Sequence, residues 1–192
     1  MDFSAFSHGQ IQSKLWLCEE IEKFAIRSDV SSPLKVAVLG SWYNILGFLM
    51  LVRNKDYYKQ IIGIDNDESS IKIANDINKG FYVNNGQLEN WCMSVNDAPY
   101  KEFDLIINTS IENIQGNYWY DQIPKGKFVC FQVCDLVPKD IEDYDNWHIH
   151  NPITTIEELK EKFPLSIIYY QGSKFFDYGD LKYNRYMIIG KK

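Results

Sequence analysis

The sequence predicts an α/β protein, a three-layer sandwich around a seven-stranded, mostly parallel sheet with an antiparallel last strand. Three observations predict it. Short apolar runs of strand length alternate with helix-length segments through the early part of the chain, the pattern of parallel strands joined by helical crossovers. Two of these runs, residues 35–39 and 60–65, are apolar almost throughout, as strands buried on both faces are, and they flank an apolar helix over 45–53. The last two runs, 165–170 and 183–189, are separated only by a turn-rich segment, 171–182, with Gly172 and Gly179. Nothing there can cross over the sheet, so these two strands are expected to be antiparallel neighbours.

The elements follow in order. Residues 11–26 read as an amphipathic helix, with Ile11, Leu15, Cys18 and Ala25 on one stripe and Leu17, Ile21 and Phe24 beside it. It packs either outside the sheet or over a ligand site, and both placements stay open. A polar connector ending at Pro33 leads into the first strand, which stops at Gly40. After the second strand, Asp67 is a natural N-cap for a helix through Ile73, Ala74 and Ile77, stopped at Gly80. Asn84-Asn85-Gly86 reads as a turn, 90–95 as a third strand and 103–109 as a fourth. A loop and short helix broken by Gly116 precede a fifth strand at 127–133. Residues 134–152 are irregular and acidic, and 154–163 are helical, capped by Thr154 or Thr155.

Composition bounds the function. At 192 residues, 45% hydrophobic and 24% charged, the chain fits one domain, 1–192, with the helix and connector of 1–33 packed on it. The net charge of −6 disfavours an electrostatically driven nucleic-acid binder without excluding a basic patch. No run of 18 apolar residues suggests a membrane span, and residues 1–4 do not open a secretory signal, so a cytoplasmic protein is expected. Cys18, Cys92, Cys130 and Cys134 form no C-x-x-C pair and read as buried reduced thiols. His8, His148 and His150 offer no helical ligand pair, so no metal site is expected.

The chemistry-bearing stretch is 35–65. A parallel β-α-β unit binds nucleotide-like ligands outside the carboxyl ends of its strands. Gly40 lets a ligand approach the backbone, and Asp65, 25 positions on (65 − 40), stands where a carboxylate accepts from ribose hydroxyls. The alternative is that Gly40 is only a turn glycine and Asp65 only a loop carboxylate. A G-x-G-x-x-G pattern is not met, since Trp42 and Ile45 occupy its later glycine positions.

Four segments, in order, resemble the class I S-adenosylmethionine-dependent methyltransferases, a Rossmann-like family. They are Val38-Leu39-Gly40-Ser41-Trp42-Tyr43-Asn44, Gly63-Ile64-Asp65-Asn66-Asp67, Asn96-Asp97-Ala98, and Phe103-Asp104-Leu105-Ile106-Ile107-Asn108-Thr109-Ser110. The resemblance covers roughly residues 35 to 190 and departs from the family where Trp42 and Asn44 replace two loop glycines and Val38 replaces an acidic residue. It implies S-adenosylmethionine as cofactor, with S-adenosylhomocysteine as product. The cofactor would be held by Gly40, Ser41, Trp42, Tyr43, Asp65, Asn66, Asp97, Ala98, Asn108 and Thr109. Asn108 and Glu112 follow the fourth strand, where an acceptor meets the methyl donor, and Glu112 is the candidate general base. Tyr43 and Trp119 are candidate walls of the acceptor pocket, and His148 and His150 lie in a stretch where acceptor-binding insertions fall. The acceptor is left open among small molecules, protein and RNA, as is the oligomeric state. Two other readings remain: a non-catalytic binding or assembly module on the same fold, and an NAD-dependent oxidoreductase.

Overall fold

The sheet is laid out around β1 (Leu34–Leu39), whose β-branched run is buried on both faces. The computed structural model describes residues 2–27, 33–79, 86–136, 149–178 and 181–192. The other strands are β2 (Tyr58–Asp65), β3 (Leu88–Cys92), β4 (Leu105–Asn108), β5 (Phe128–Cys134), β6 (Ile167–Tyr178) and β7 (Leu181–Lys191). Their order is β3-β2-β1-β4-β5-β7-β6. β1 to β5 pair in parallel, and β7 runs antiparallel to both β5 and β6. The predicted seven strands and reversed last strand are both present.

Strand alternation divides the core into two layers. Val36, Val38, Ile61, Ile107 and Met187 point to one face, where α1 (His8–Arg27) and α2 (Ile45–Asn54) cover them. Ala37, Leu39, Ile62, Ile106 and Ile188 point to the other, against α4 (Tyr118–Gln122) and α5 (Ile156–Lys162). α3 (Glu68–Asn78) lies along β2 and β3, and its Ile73 and Ile77 pack toward Tyr43 and Ile45. Each fully buried Leu, Ile or Val stabilises the fold by ~1.5–3 kcal/mol, so both layers are required.

The caps are where the sequence places them. Asp67 accepts from the Ser69 N–H at 2.9 Å at the start of α3, and Thr155 accepts from the Glu158 N–H at 3.1 Å at the start of α5. Gly80 and the Asn84-Asn85 part of the predicted turn lie outside the described residues.

Four expectations change. In α1, Trp16, Leu17, Cys18, Ile21 and Phe24 enter the core while Ile11 and Leu15 are only half-buried, so the core-facing stripe is the neighbouring one. β3 ends at Cys92, because Ser94 caps a 3-10 turn over Val95–Asp97 by accepting from the Asn96 N–H at 3.1 Å. The segment 171–178, expected as turns, continues β6. β6 is an edge strand with most side chains exposed, so it carries no apolar alternation to read. Gly172 lies inside it, where an added Cβ would meet the hydroxyl end of the Tyr170 side chain. Finally, Cys92 is exposed, whereas Cys18, Cys130 and Cys134 are buried, and all four are unpaired. Gly179 lies outside the described residues. No described helix is long and apolar enough to cross a membrane.

Candidate functional site

In the strand order, β1 sends its chain toward β2 on one side, while β4 lies on its other side. That reversal opens a crevice at the carboxyl ends of β1 and β4, the place where open α/β sheets bind ligands. A cleft of about 1000 Å³ lies there, lined by residues following β1 (Gly40 to Tyr43), β2 (Asp65 to Asp67) and β4 (Thr109, Ser110, Glu112). Its volume is at the top of the ~300–1,000 Å³ range of small-molecule sites.

The outer half is built by the loop after β1. Gly40, Trp42 and Asn44 all have positive φ, at 58°, 51° and 50°. The backbone therefore takes a left-handed step at every second residue, including two where the side chain makes it costly, by roughly 1–2 kcal/mol each. Local bonds offset that cost. The Trp42 N–H donates to Asp65 Oδ2 at 2.8 Å, a charge-assisted bond that contributes ~1.5–3 kcal/mol. Asn44 is fully buried, and its Oδ1 accepts from the Gly47 N–H at 3.2 Å while its Nδ2 donates to Asn90 Oδ1 at 2.8 Å. Gly63 makes room for it, since a Cβ there would lie 2.5 Å from Asn44 Nδ2. At Gly40, a Cβ would lie 2.7 Å from Ser110 Cβ, and Ser110 Oγ donates to the Gly40 carbonyl at 2.9 Å. The exits of β1 and β4 are thus clasped together.

Asp65 is half-buried at the end of β2, and its Oδ1 accepts from the Asp67 N–H at 3.0 Å. Each of its oxygens has one backbone donor and one remaining acceptor site, the number two vicinal hydroxyls require. Ser94, Val95 and Asn96 line the cleft opposite, and Asn96 Oδ1 is buried with no hydrogen-bond partner. Asp2, Ser4 and Ala5 close it from the N-terminus, where the Asp2 N–H donates to Tyr43 Oη at 2.8 Å and Ala5 packs on Tyr43. The Trp42 and Tyr43 rings lie 4.8 Å apart.

The inner half gathers charge. Glu112, on the 3-10 turn after β4, is 7% exposed, and Arg185 of β7 is 5% exposed. Cys134 Sγ, at the end of β5, donates to Glu112 Oε1 at 3.3 Å. Glu112 Oε2 and Arg185 Nε have no hydrogen-bond partner. Burial raises the Glu112 carboxyl above the usual range, with the Arg185 charge pulling the other way. Lys14 reaches in from α1, its Nζ on Gln10 Oε1 at 2.6 Å. Burial first, and the Arg185 charge second, pull it down to about 7. The Glu112 carbonyl accepts from the N–H groups of His150 and Asn151 at 2.7 and 3.1 Å, which seats the returning chain against this turn.

Of the residues expected at the site, Gly40, Ser41, Trp42, Tyr43, Asp65, Asn66, Thr109 and Glu112 line one cleft. Asp97, Ala98 and Asn108 do not line it. Asp97 is exposed, Ala98 packs into the second core layer, and Asn108 is fully buried, with Oδ1 accepting from the Ser110 N–H at 2.9 Å. Trp119 is a core residue rather than a pocket wall, wedged among Tyr120, Phe131 and Phe163. His150 lines the cleft, and His148 lies outside the described residues. Lys14, Arg185 and Ser94 escaped the sequence reading, and Asn96 entered it only as part of the segment whose Asp97 and Ala98 are expected at the site. Arg185 alone left a signal, as a charge inside an otherwise buried strand.

No protein-family profile matches the chain, and no curated protein matches it. Solved structures do. The MccD protein is 15% identical, with a TM-score of 0.66 over 91% of this chain and 96% of that one. A putative sarcosine dimethylglycine methyltransferase from Galdieria sulphuraria is 10% identical, with a TM-score of 0.68 over 95% and 86%. The magnesium protoporphyrin IX methyltransferase of Synechocystis PCC 6803, solved with S-adenosylmethionine bound, is 10% identical, with a TM-score of 0.61 over 94% and 81%. With its strand order and reversed β7, the chain has the Rossmann-like fold of the class I S-adenosylmethionine-dependent methyltransferases.

Proposed function

We propose that this protein binds S-adenosylmethionine in the cleft and transfers its methyl group to an acceptor held at the inner half. The observation that carries the reading is the loop after β1, which takes left-handed steps at residues 40, 42 and 44 and is tied by the Trp42 N–H to Asp65. The fit to the cofactor rests on two orphaned acceptor capacities: the free sites of Asp65 suit the ribose hydroxyls, and the unpartnered Asn96 Oδ1 suits the adenine amine. Gly40 and Ser41 supply backbone to the cofactor, and Trp42 and Tyr43 wall it. Asn66 and Thr109 flank it, while Asp97, Ala98 and Asn108 support the surrounding turns. When bound, S-adenosylmethionine supplies an electrophilic methyl group and leaves as S-adenosylhomocysteine.

The chain's own work is alignment, water exclusion and proton removal. Glu112 Oε2 has a free acceptor site and a raised proton affinity, so it is matched to take the proton of an amine or hydroxyl nucleophile. Arg185 opposes the charge that Glu112 carries before that step.

Calorimetric titration with S-adenosylmethionine, S-adenosylhomocysteine and NAD tests the reading. Micromolar binding of the first two and none of NAD is expected. Binding of NAD alone would transfer the site to an oxidoreductase, a reading weakened by β7, which interrupts the 3-2-1-4-5-6 order of dinucleotide folds. Failure of all three would favour a non-catalytic module, the reading that Trp42 in the loop supports.

A further inference from the structure

Two buried polar atoms at the inner half of the cleft lack partners, and they are of opposite kind: Glu112 Oε2 accepts and Arg185 Nε donates. Both residues are more than nine-tenths buried, and both line the cleft. A buried ionic group without its hydrogen bonds is costly, so such atoms point to something that completes them. The charges do not balance internally either. Among the described residues, Arg185 brings a fixed cation and Lys14 a second one only when protonated, against the one carboxylate of Glu112, and Cys134, whose thiol is pushed up by burial, brings no charge at neutral pH. The Arg185 guanidinium lies over the Tyr183 ring, 5.6 Å from its centroid, and its Nε has no hydrogen-bond partner.

We infer that this inner half is a receptor for a small acidic acceptor, a monoanionic carboxylate held by Arg185 and Lys14 with its protic nucleophile beside Glu112. The inference rests on the methyl-transfer reading for the nucleophile's fate, but the receptor itself is a binding claim. With Lys14 protonated as the anion arrives, the single positive charge in excess over Glu112 matches a monoanion better than a phosphate dianion. Guanidinium geometry suits a carboxylate, and Lys14 adds a point charge. The cleft's volume leaves space beside a nucleoside for a small molecule, not for a folded partner. The low proton affinity of Lys14 fits an anion site awaiting its ion: the groups facing it are Arg185, Cys18, Glu112 and Gln10, and an arriving anion restores the charge that burial and Arg185 suppress.

The test titrates the full chain with benzoate, phenyl phosphate and uncharged benzamide, each with and without saturating S-adenosylhomocysteine, in two buffers of different ionisation heat at pH 7.5. The expected result is benzoate bound at least tenfold more tightly than benzamide and more tightly than phenyl phosphate, with proton uptake on binding. Arg185→Gln should abolish this preference. Lys14→Gln, at a half-buried position that spares the core, should weaken benzoate by about tenfold and remove the proton uptake. Equal binding of benzoate and benzamide, or benzoate binding unchanged in Lys14→Gln, would overturn the receptor. Preference for phenyl phosphate would overturn the carboxylate assignment. Benzoate binding that needs Lys14 in a chain that ignores S-adenosylhomocysteine would keep the receptor and remove the methyl-transfer reading.

Discussion

The two halves of the cleft solve opposite problems. In the outer half the loop backbone is bonded within the chain, with Asp65 holding Trp42 and Asp67, Asn44 holding Gly47 and Asn90, and Ser110 holding Gly40, and the buried atoms left over, Ser41 Oγ and Asn96 Oδ1, are uncharged. In the inner half Glu112 and Arg185 keep buried atoms without partners. A loop that must take costly backbone angles needs its bonds before any ligand arrives. A charge receptor instead keeps its capacity unspent until the ligand supplies the missing partner. The first arrangement fixes shape, and the second stores demand.

The sharpest way to break that contrast is at Asp65. Asp65→Ala removes the loop's anchor and the ribose acceptor together, and S-adenosylhomocysteine affinity should fall by about ten- to a hundredfold in calorimetry. Unchanged affinity would make Asp65 a loop brace only. Next is Gly40→Ala, which places a Cβ against Ser110 on a left-handed residue. It should cost about 2–3 kcal/mol in urea unfolding, whereas Gly116→Ala, also at positive φ but with open space around it, should cost about 1–2 kcal/mol.

At the inner half the probe is pH. Lys14 is charged below about 7 and neutral above it, so benzoate affinity should fall as pH rises from 6 to 8 and flatten in Lys14→Gln. The same depressed value affects folding. Between about 7 and the model-peptide value of 10.5 the unfolded chain binds the extra proton. The Lys14 contribution to stability therefore rises with pH across that window and is lost as pH falls toward 7. Comparing urea midpoints of the native chain and Lys14→Gln at pH 7 and pH 9 isolates it. The smallest effect belongs to a cap remote from both halves: Thr155→Ala should cost about 1 kcal/mol without moving ligand affinity.

Much of the fold was legible because its central unit obeys local rules. β1, α2 and β2 lie close to where their apolar runs put them, and α3 starts where Asp67 caps it. β6 was legible only at its start, because an edge strand with exposed faces has no buried period. The outer half of the cleft could be read since its residues follow strands in one compact stretch. The inner half could not: Lys14 and Arg185 lie near opposite ends of the chain, and only the insertion of β7 beside β5 brings Arg185 opposite Cys134. Asn44 shows why the loop defied a glycine pattern. What the backbone requires there is a left-handed angle and a cap, and an asparagine bonded on both sides supplies both.

The clasp between Gly40 and Ser110 leaves little slack between the loop that faces the nucleoside and the loop that leads to Glu112. Filling one half is therefore expected to alter the affinity of the other, by a factor that thermodynamic reciprocity makes equal in both directions. The ratio by which S-adenosylhomocysteine changes benzoate binding should match the ratio by which benzoate changes S-adenosylhomocysteine binding. Loosening the clasp with Ser110→Ala should bring that ratio toward one, turning two linked sites into independent ones.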